Sequence, residues 1–367
     1  AMISLSNLSD QRMRHAKSGQ WWETAPQMAL SNNSVCYTDK PDGETFLREW
    51  TALVESKSGE RGIFNRISAK EQAKKFGRRD ADHEFGTNPC SEIILRPYQF
   101  CNLTEVVIRE KDKFEDLKRK VMLATILGTA QATLTKFPYL RKVWKNNTEE
   151  ERLLGVSLTG IMDNELTSGK KHGLDKTLES LRQIAVETNK EWAAIFGIPQ
   201  STAITCVKPD PLTNFMVDSG IPSEPDVMKP DTQTVFSFPM KSPRKSVMRD
   251  DMTAIEQLQT WLTYQRHWCE HKPSVTISVR DDEWMEVGAF VFKHFDEMSG
   301  VSFLPHSDHT YQQAPYQECT EEVYNDFSSK FGHIDWTKFQ SYEKEDNTQS
   351  SQTFACSGDS CEIVDIT

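Results

Sequence analysis

The segment NPCSEIILRPYQFCNL, residues 88–103, places an amide (Asn88), a thiol (Cys90) and a carboxylate (Glu92) within five positions, and a second thiol, Cys101, eleven positions after the first. This combination sets a redox-capable thiol, a proton acceptor and a hydrogen-bonding amide close together. A thiol has a weak S–H bond and can donate electrons by becoming a disulfide. A carboxylate two residues on can take a proton from the same centre, and on an extended backbone residues 90 and 92 face the same way. Pro89 stiffens the backbone between amide and thiol. The plain alternative is that Cys90 is a small buried apolar residue and Glu92 a solvated acid at a strand edge. These residues alone leave both readings open.

The chain ends with a second thiol pair. In ACSGDSCEIVDIT, Cys356 and Cys361 are separated by four small or acidic residues. They follow SYEKEDNTQSSQTF, which is polar, lacks periodicity and reads from Ser341 onward as a flexible tether. Small residues let the loop close into a disulfide, and a polar arm lets the pair travel. A mobile dithiol can re-reduce a buried disulfide by exchange. A zinc site would need two further ligands, and none lies nearby in sequence.

These groups must be positioned by a folded body. The chain has 367 residues, of which 26% are charged and 37% apolar, as expected for one large or two ordinary domains. Its formal net charge of −11 gives no basic field for nucleic acid, so no direct DNA binding is expected, and an anionic substrate would need local donors. No apolar run approaches the ~18 residues of a membrane span. The opening AMISLSNLSD lacks the pattern of a signal peptide and reads as the interior of a domain, with ISL strand-like. Eight cysteines on such a chain imply reduced thiols and a cytoplasmic location.

Apolar periodicity predicts the elements. TFLREWTALVES is a helix with Phe46, Trp50 and Leu53 on one face. FEDLKRKVMLATILGTAQATL is a longer one, with Leu117, Val121, Ala124, Leu127 and Leu134 near one face. LDKTLESLRQIAVETNKEWAAIFG directs Leu178, Leu181, Ala185, Trp192 and Ile195 inward and ends at Gly197. RDDMTAIEQLQTWLTYQRHW aligns Ile255, Leu258, Leu262 and Gln265, and DEWMEVGAFVFKHF is helical too. Strands are predicted at 91–96, 103–108, 202–207, 274–279 and 300–304. The alternation predicts an α/β fold with parallel strands.

Several segments resemble a ribonucleotide reductase, specifically the monomeric, adenosylcobalamin-dependent (class II) type: NNSVCYT, SGERGIFNR, GTNPCSEIILRPYQFCNLTEVVIR, ERLLGVSLTGIMD, STAITCVKP, MTAIEQLQTWLTYQRHWCEHKPSVTISV, GVSFLP and TYQQAPYQE. The Asn-Pro-Cys-x-Glu motif, the second cysteine eleven residues on and the terminal cysteine pair together carry the likeness. No Tyr-Tyr dipeptide is present to relay a radical from a metal subunit. A D-x-H-x-x-G signature is also lacking: His83 and Gly86 are in place, with Ala81 where the aspartate would stand.

The resemblance implies the second half of the ten-stranded α/β barrel of that family over 1–340, with a finger loop at about 88–101, and a redox-shuttle tail over 341–367. It implies a thiyl radical on Cys90, a general base in Glu92, ribose hydroxyls held by Asn88, reducing electrons from Cys101, and its re-reduction by Cys356 and Cys361. Adenosylcobalamin is the implied cofactor, a ribonucleoside triphosphate the substrate, and thioredoxin or a similar dithiol the reductant. The family's N-terminal half bears an allosteric nucleotide region and the other reducing cysteine. It has no counterpart here, so a chain or segment supplying it is an expected partner. Cys36 is a candidate for the substitute second thiol, although a structural role suits it better. A phosphate loop expected after Lys208-Pro209 is replaced by DPLTNFMVDSGIP. The alternative is a non-catalytic remnant or interaction subunit of a split reductase. Cys206 and Cys269 read as core residues, Cys269 and His271 suiting a metal only if other ligands converge, and Cys319 takes no role.

Overall fold

The computed structural model describes residues 2–25, 27–28, 31–207, 223–225, 227, 234–307, 319–330, 355–357 and 360–362. The chain divides into two units: 1–136 with 142–209 and 242–312, and 137–141 with 210–241 and 313–367. In chain order the strands are β1 (Met2–Ser6), β2 (Ser31–Tyr37), β3 (Gly62–Asn65), β4 (Gly86–Thr87), β5 (Ile94–Leu95), β6 (Asn102–Val107), β7 (Leu154–Thr159), β8 (Ser223–Pro225), β9 (Thr234–Phe236), β10 (Thr276–Val279), β11 (Gly300–Pro305), β12 (Ala355–Ser357) and β13 (Ser360–Glu362).

The first unit is built on a sheet of order β1-β2-β3-β11-β10. β1, β2 and β3 run parallel, as do β10 and β11, and the two sets meet in an antiparallel junction where Gly300 and Val301 face Phe64 and Ile63. Parallel bridges then continue the ribbon, from Pro273 to Val207 and from Thr205 to Val156, reaching the parallel pair β7–β6. The α/β fold is thus as expected, with strands at the predicted 103–108, 274–279 and 300–304. Two predicted strands differ. Residues 202–207 contribute isolated bridges, and 91–96 shrinks to β5, because the backbone just before it is used in a turn.

The helices show why this sequence covers the ribbon as it does. Asp42 caps the helix Gly43–Ser56 by accepting from Thr45 N–H at 2.8 Å, and Phe46, Trp50 and Leu53 are buried as their spacing predicts. Trp50 packs edge-on against Trp284 and Phe303, with ring centroids at 5.8 and 5.0 Å, and donates its indole N–H to Trp284 O. A second apolar layer lies over β6 and β7, where Leu117, Val121 and Ala124 of the helix Phe114–Gln131 meet Leu178, Leu181 and Ala185 of the helix Leu174–Phe196. Leu127 and Ile195 are instead exposed at 58% and 61%, and Leu134 lies beyond its helix. The buried stripes pass through small and polar residues, Thr125 and Gly128 on one helix and Thr188 and Asn189 on the other. Gly197 ends the second helix at φ +68°, as predicted.

In the second unit, β8 pairs antiparallel with β9 and β12 with β13, the latter register setting Cys356 opposite Cys361. Residues 341–354, 358–359 and 363–367 of the expected tail, and 208–222 after the expected phosphate loop position, lie outside the described residues. No helix among the described residues is long and apolar enough to cross a membrane.

A Cβ on Gly288 would stand 2.7 Å from Trp50 Nε1. Gly288→Ala is therefore expected to destabilise the fold by about 1–3 kcal/mol by overpacking, seen as a lower urea midpoint at unchanged slope. Leu127→Ala, at an exposed position, is expected to stay within about 0.5 kcal/mol of wild type.

Candidate active site

β4 and β5 form a short antiparallel hairpin, and the residues singled out by the sequence occupy its tip. Ser91 N–H donates to Asn88 O at 2.8 Å, closing a β-turn with Pro89 in the second position, where its fixed φ belongs. Asn88 also accepts from Ile93 N–H through Oδ1 at 2.9 Å, so its carbonyl oxygen is committed to the turn and its amide NH2 is the part left for a ligand. Ser91 has φ +67°. This left-handed residue breaks the extended geometry that would have turned Cys90 and Glu92 the same way. Cys90 is exposed at the tip, whereas Glu92 is buried at 2%.

The hairpin is tied to the ribbon on both sides. From β2, Asn32 donates its amide to Pro89 O at 3.0 Å. On the other side, Lys272 N–H donates to Glu92 O (3.1 Å), Ser274 Oγ to Cys90 O (2.6 Å) and Lys272 Nζ to Ser91 Oγ (2.7 Å). His271 accepts from Ile94 N–H at Nδ1 and donates from Nε2 to Leu154 O. It is the neutral core histidine that two backbone partners define, with its pKa held well below the ordinary value by desolvation first and by Arg79 second. Its neighbour Cys269 is buried, and no group of three or more His, Cys, Asp or Glu among the described residues is placed to hold a metal.

Beyond the hairpin, Arg79 makes a bidentate pair with Glu151 (2.9 and 3.0 Å) and donates to Ile94 O (2.9 Å). Gln99 bonds to Glu151 and accepts from Arg96 N–H. Arg96 reaches Glu150 at 2.5 Å, and its hydrogen bond holds that carboxyl below the usual range. His83 Nε2 stands 3.1 Å from Arg96 Nη1.

Cys101 is half-buried where the chain enters β6. Cys206 is fully buried, its thiol pushed well up by desolvation and then by Cys101, Cys269, Glu92 and Glu105, which places Cys101 and Glu92 among its surroundings. Gly155 makes room for that sulfur, since a Cβ there would stand 3.2 Å from Cys206 Sγ and 3.1 Å from Ile93 Cδ1. Cys36 belongs elsewhere, in an apolar cluster with Phe64, Phe85 and Ile94 and with Arg66 and Glu84 as its charged neighbours. Cys319 is exposed. Sequence reading assigned no role to Lys272, Ser274, Arg79 or Glu151. The available cue for Lys272 was a cation in HKPSVTISV, at the mouth of a buried strand.

Lys272 is fully buried, and desolvation lowers its pKa from about 10.5 to about 7 against the opposing field of Glu92.

The fold is similar to that of ribonucleotide reductases of known structure. The chain superimposes on the crystal structure of a B12-dependent (class II) ribonucleotide reductase with a TM-score of 0.66 at 21% identity, covering 94% of this chain and 56% of that one. On the class Id ribonucleotide reductase alpha subunit of Actinobacillus ureae the TM-score is 0.55 at 13% identity, covering 83% of this chain and 70% of that one. Among curated proteins it is similar to the adenosylcobalamin-dependent ribonucleoside-triphosphate reductase of Lactobacillus gasseri, 24% identical over 404 residues, 91% of this chain and 52% of the relative. It is likewise similar to that of Euglena gracilis, 25% identical over 312 residues, 75% of this chain and 42% of the relative. The chain is thus a homologue, over most of its length, of reductases so named, and it spans about half the length of the curated relatives it matches. No protein-family model matches it.

The buried lysine predicts a pH dependence. Between about pH 7 and 10.5 the unfolded chain holds a proton on Lys272 that the fold does not, so raising the pH across this window favours the fold. The slope from this group is at most about 1.4 kcal/mol per pH unit. Urea midpoints at pH 7 and 9 should show that Lys272→Met flattens this rise; an unchanged slope would contradict the assignment.

Proposed function

We propose that this chain carries the catalytic hairpin of an adenosylcobalamin-dependent ribonucleoside-triphosphate reductase. The observation that carries the reading is the pairing of an exposed thiol, Cys90, with a buried carboxylate two residues on, whose Oε2 has no hydrogen-bond partner among the described residues. A buried oxygen without a donor calls for one, and a substrate hydroxyl can supply it.

In this reading Cys90, as a thiyl radical, takes the 3′ hydrogen atom of the ribose. Glu92 takes the 3′-hydroxyl proton, and the 2′-hydroxyl leaves as water. Cys101 and a second thiol supply two electrons and two protons and end as a disulfide, and Cys90 returns a hydrogen atom to the 3′ carbon. The amide NH2 of Asn88 orients the ribose hydroxyls. Cys356 and Cys361, opposite each other across β12 and β13, re-reduce the internal disulfide and pass the oxidation on to thioredoxin or a similar dithiol. The second reducing thiol belongs to the segment that completes the barrel.

The residues present fit the cofactor in one respect: Cys90 stands at the exposed tip of a braced turn, where a group outside the chain can reach its sulfur. When bound, adenosylcobalamin would supply the radical through homolysis of its Co–C bond. Cys90 is the residue that would meet it.

In the enzyme containing this chain, Cys90→Ser is expected to keep the fold and abolish deoxynucleotide formation from a ribonucleoside triphosphate with adenosylcobalamin and a dithiol. Appreciable turnover by that variant would remove the radical assignment. Cys356→Ser or Cys361→Ser is expected to block turnover with thioredoxin and to spare it with a small dithiol. Equal loss with both reductants would exclude a shuttle.

A further inference from the structure

We propose that Lys272 is a positioning residue of the Cys90 turn, its ammonium anchoring Ser91 and serving as the counter-charge of the Glu92 carboxylate. Nζ is enclosed, donating to Ser91 Oγ at 2.7 Å, lying 3.5 Å from Ser299 O and standing 4.7 Å from the centroid of the Phe64 ring. Space for it exists because residue 300 is glycine: a Cβ there would lie 2.4 Å from Nζ and 3.1 Å from Ser91 Oγ.

A buried ammonium is costly unless an opposite charge shares its surroundings. The hairpin brings Ser91 and Glu92 to this site, β3 brings Phe64, and Ser299 and Gly300 come from the start of β11. Its own segment brings His271, held neutral by Ile94 N–H and Leu154 O. Glu92, also buried and joined to this residue by the bond from Lys272 N–H to Glu92 O at 3.1 Å, favours the protonated amine. The same short segment therefore grips both sides of the thiol residue, Ser274 at Cys90 O and Lys272 at Ser91 Oγ.

The consequence is a mutual dependence. The ammonium offsets the cost of burying the Glu92 charge, and that charge holds the proton on the amine; such coupling is reciprocal. Use of the pair in catalysis rests on the reductase reading, whereas the coupling does not.

The test is a titration of the Lys272 amine by nuclear magnetic resonance in the full chain carrying 15N-labelled lysine. The Nζ signal would be assigned through its side-chain correlations and followed in wild type and in Glu92→Gln, which keeps the shape of the side chain. The midpoint is expected near 7 in wild type and about one pH unit lower, a tenfold change, in Glu92→Gln. Equal midpoints would overturn the proposal whatever the activity. For the anchoring, Lys272→Met is expected to speed alkylation of Cys90 by iodoacetamide several-fold, and an unchanged rate in a folded variant would refute it. If Lys272→Met fails to fold, the titration still decides the coupling. A shifted midpoint in an enzyme that forms no deoxynucleotide would overturn the reductase reading and leave the Lys272–Glu92 pair standing.

Discussion

Everything about the site depends on the seam between residues 88–94 and 271–274. Two-residue strands cannot hold a hairpin on their own. Here backbone and side-chain donors of 272 and 274 bond to three successive residues, Cys90, Ser91 and Glu92, and His271 takes the next free N–H, that of Ile94. The seam in turn depends on how its own strand is placed. The helix Ala254–His267 begins with a reciprocal cap between Thr253 and Glu256 and buries Leu258, Trp261 and Leu262. At its end Trp268 donates to Cys206 O, and Thr205 Oγ donates to Trp268 O. The turn that presents Cys90 is thus registered through an indole to a bridged segment far away in sequence.

Charge burial among the described residues follows one rule: each deeply placed cation has an oxygen acceptor on an element it must fix. Glu49 receives both Arg14 and Arg61, tying the segment after β1 to the helix Gly43–Ser56. Glu151 receives Arg79, which also reaches the carbonyl of Ile94. Such pairs add little net stability over apolar packing, but removing one partner strands a buried charge and is strongly destabilising. They favour one arrangement of the backbone around the narrow hairpin that carries Cys90.

Much of the scaffold was legible because burial there follows period. Phe46, Trp50 and Leu53, and Leu258 and Leu262, lie inward as spaced. Leu127 and Ile195 misled because the buried stripes run through threonine, glycine and asparagine, which an apolar count passes over. The motif residues 88–92 were legible as a group, but their relative exposure was not. That is set by the positive φ of Ser91, which no side-chain type announces at a serine. Lys272 escaped notice because its meaning comes from Gly300 and Glu92, partners supplied by distant segments. The antiparallel β3–β11 junction was illegible for the same reason, since helix–strand alternation predicts only parallel neighbours.

That junction and the seam have a bearing on biosynthesis. The hairpin at 88–94 is made well before the segment 271–274 that grips it, and β3 before the β11 strand that it pairs with. At ribosomal rates of about 5–20 residues per second, the nascent chain carries Cys90 for roughly 10–40 s with no seam to hold it. Cys36 has emerged before that interval begins, and Cys101, Cys206 and Cys269 emerge within it. The oxidation state of the compartment during translation therefore bears on how much of the polypeptide reaches its native fold, and a reducing environment protects the nascent chain before it protects the folded one.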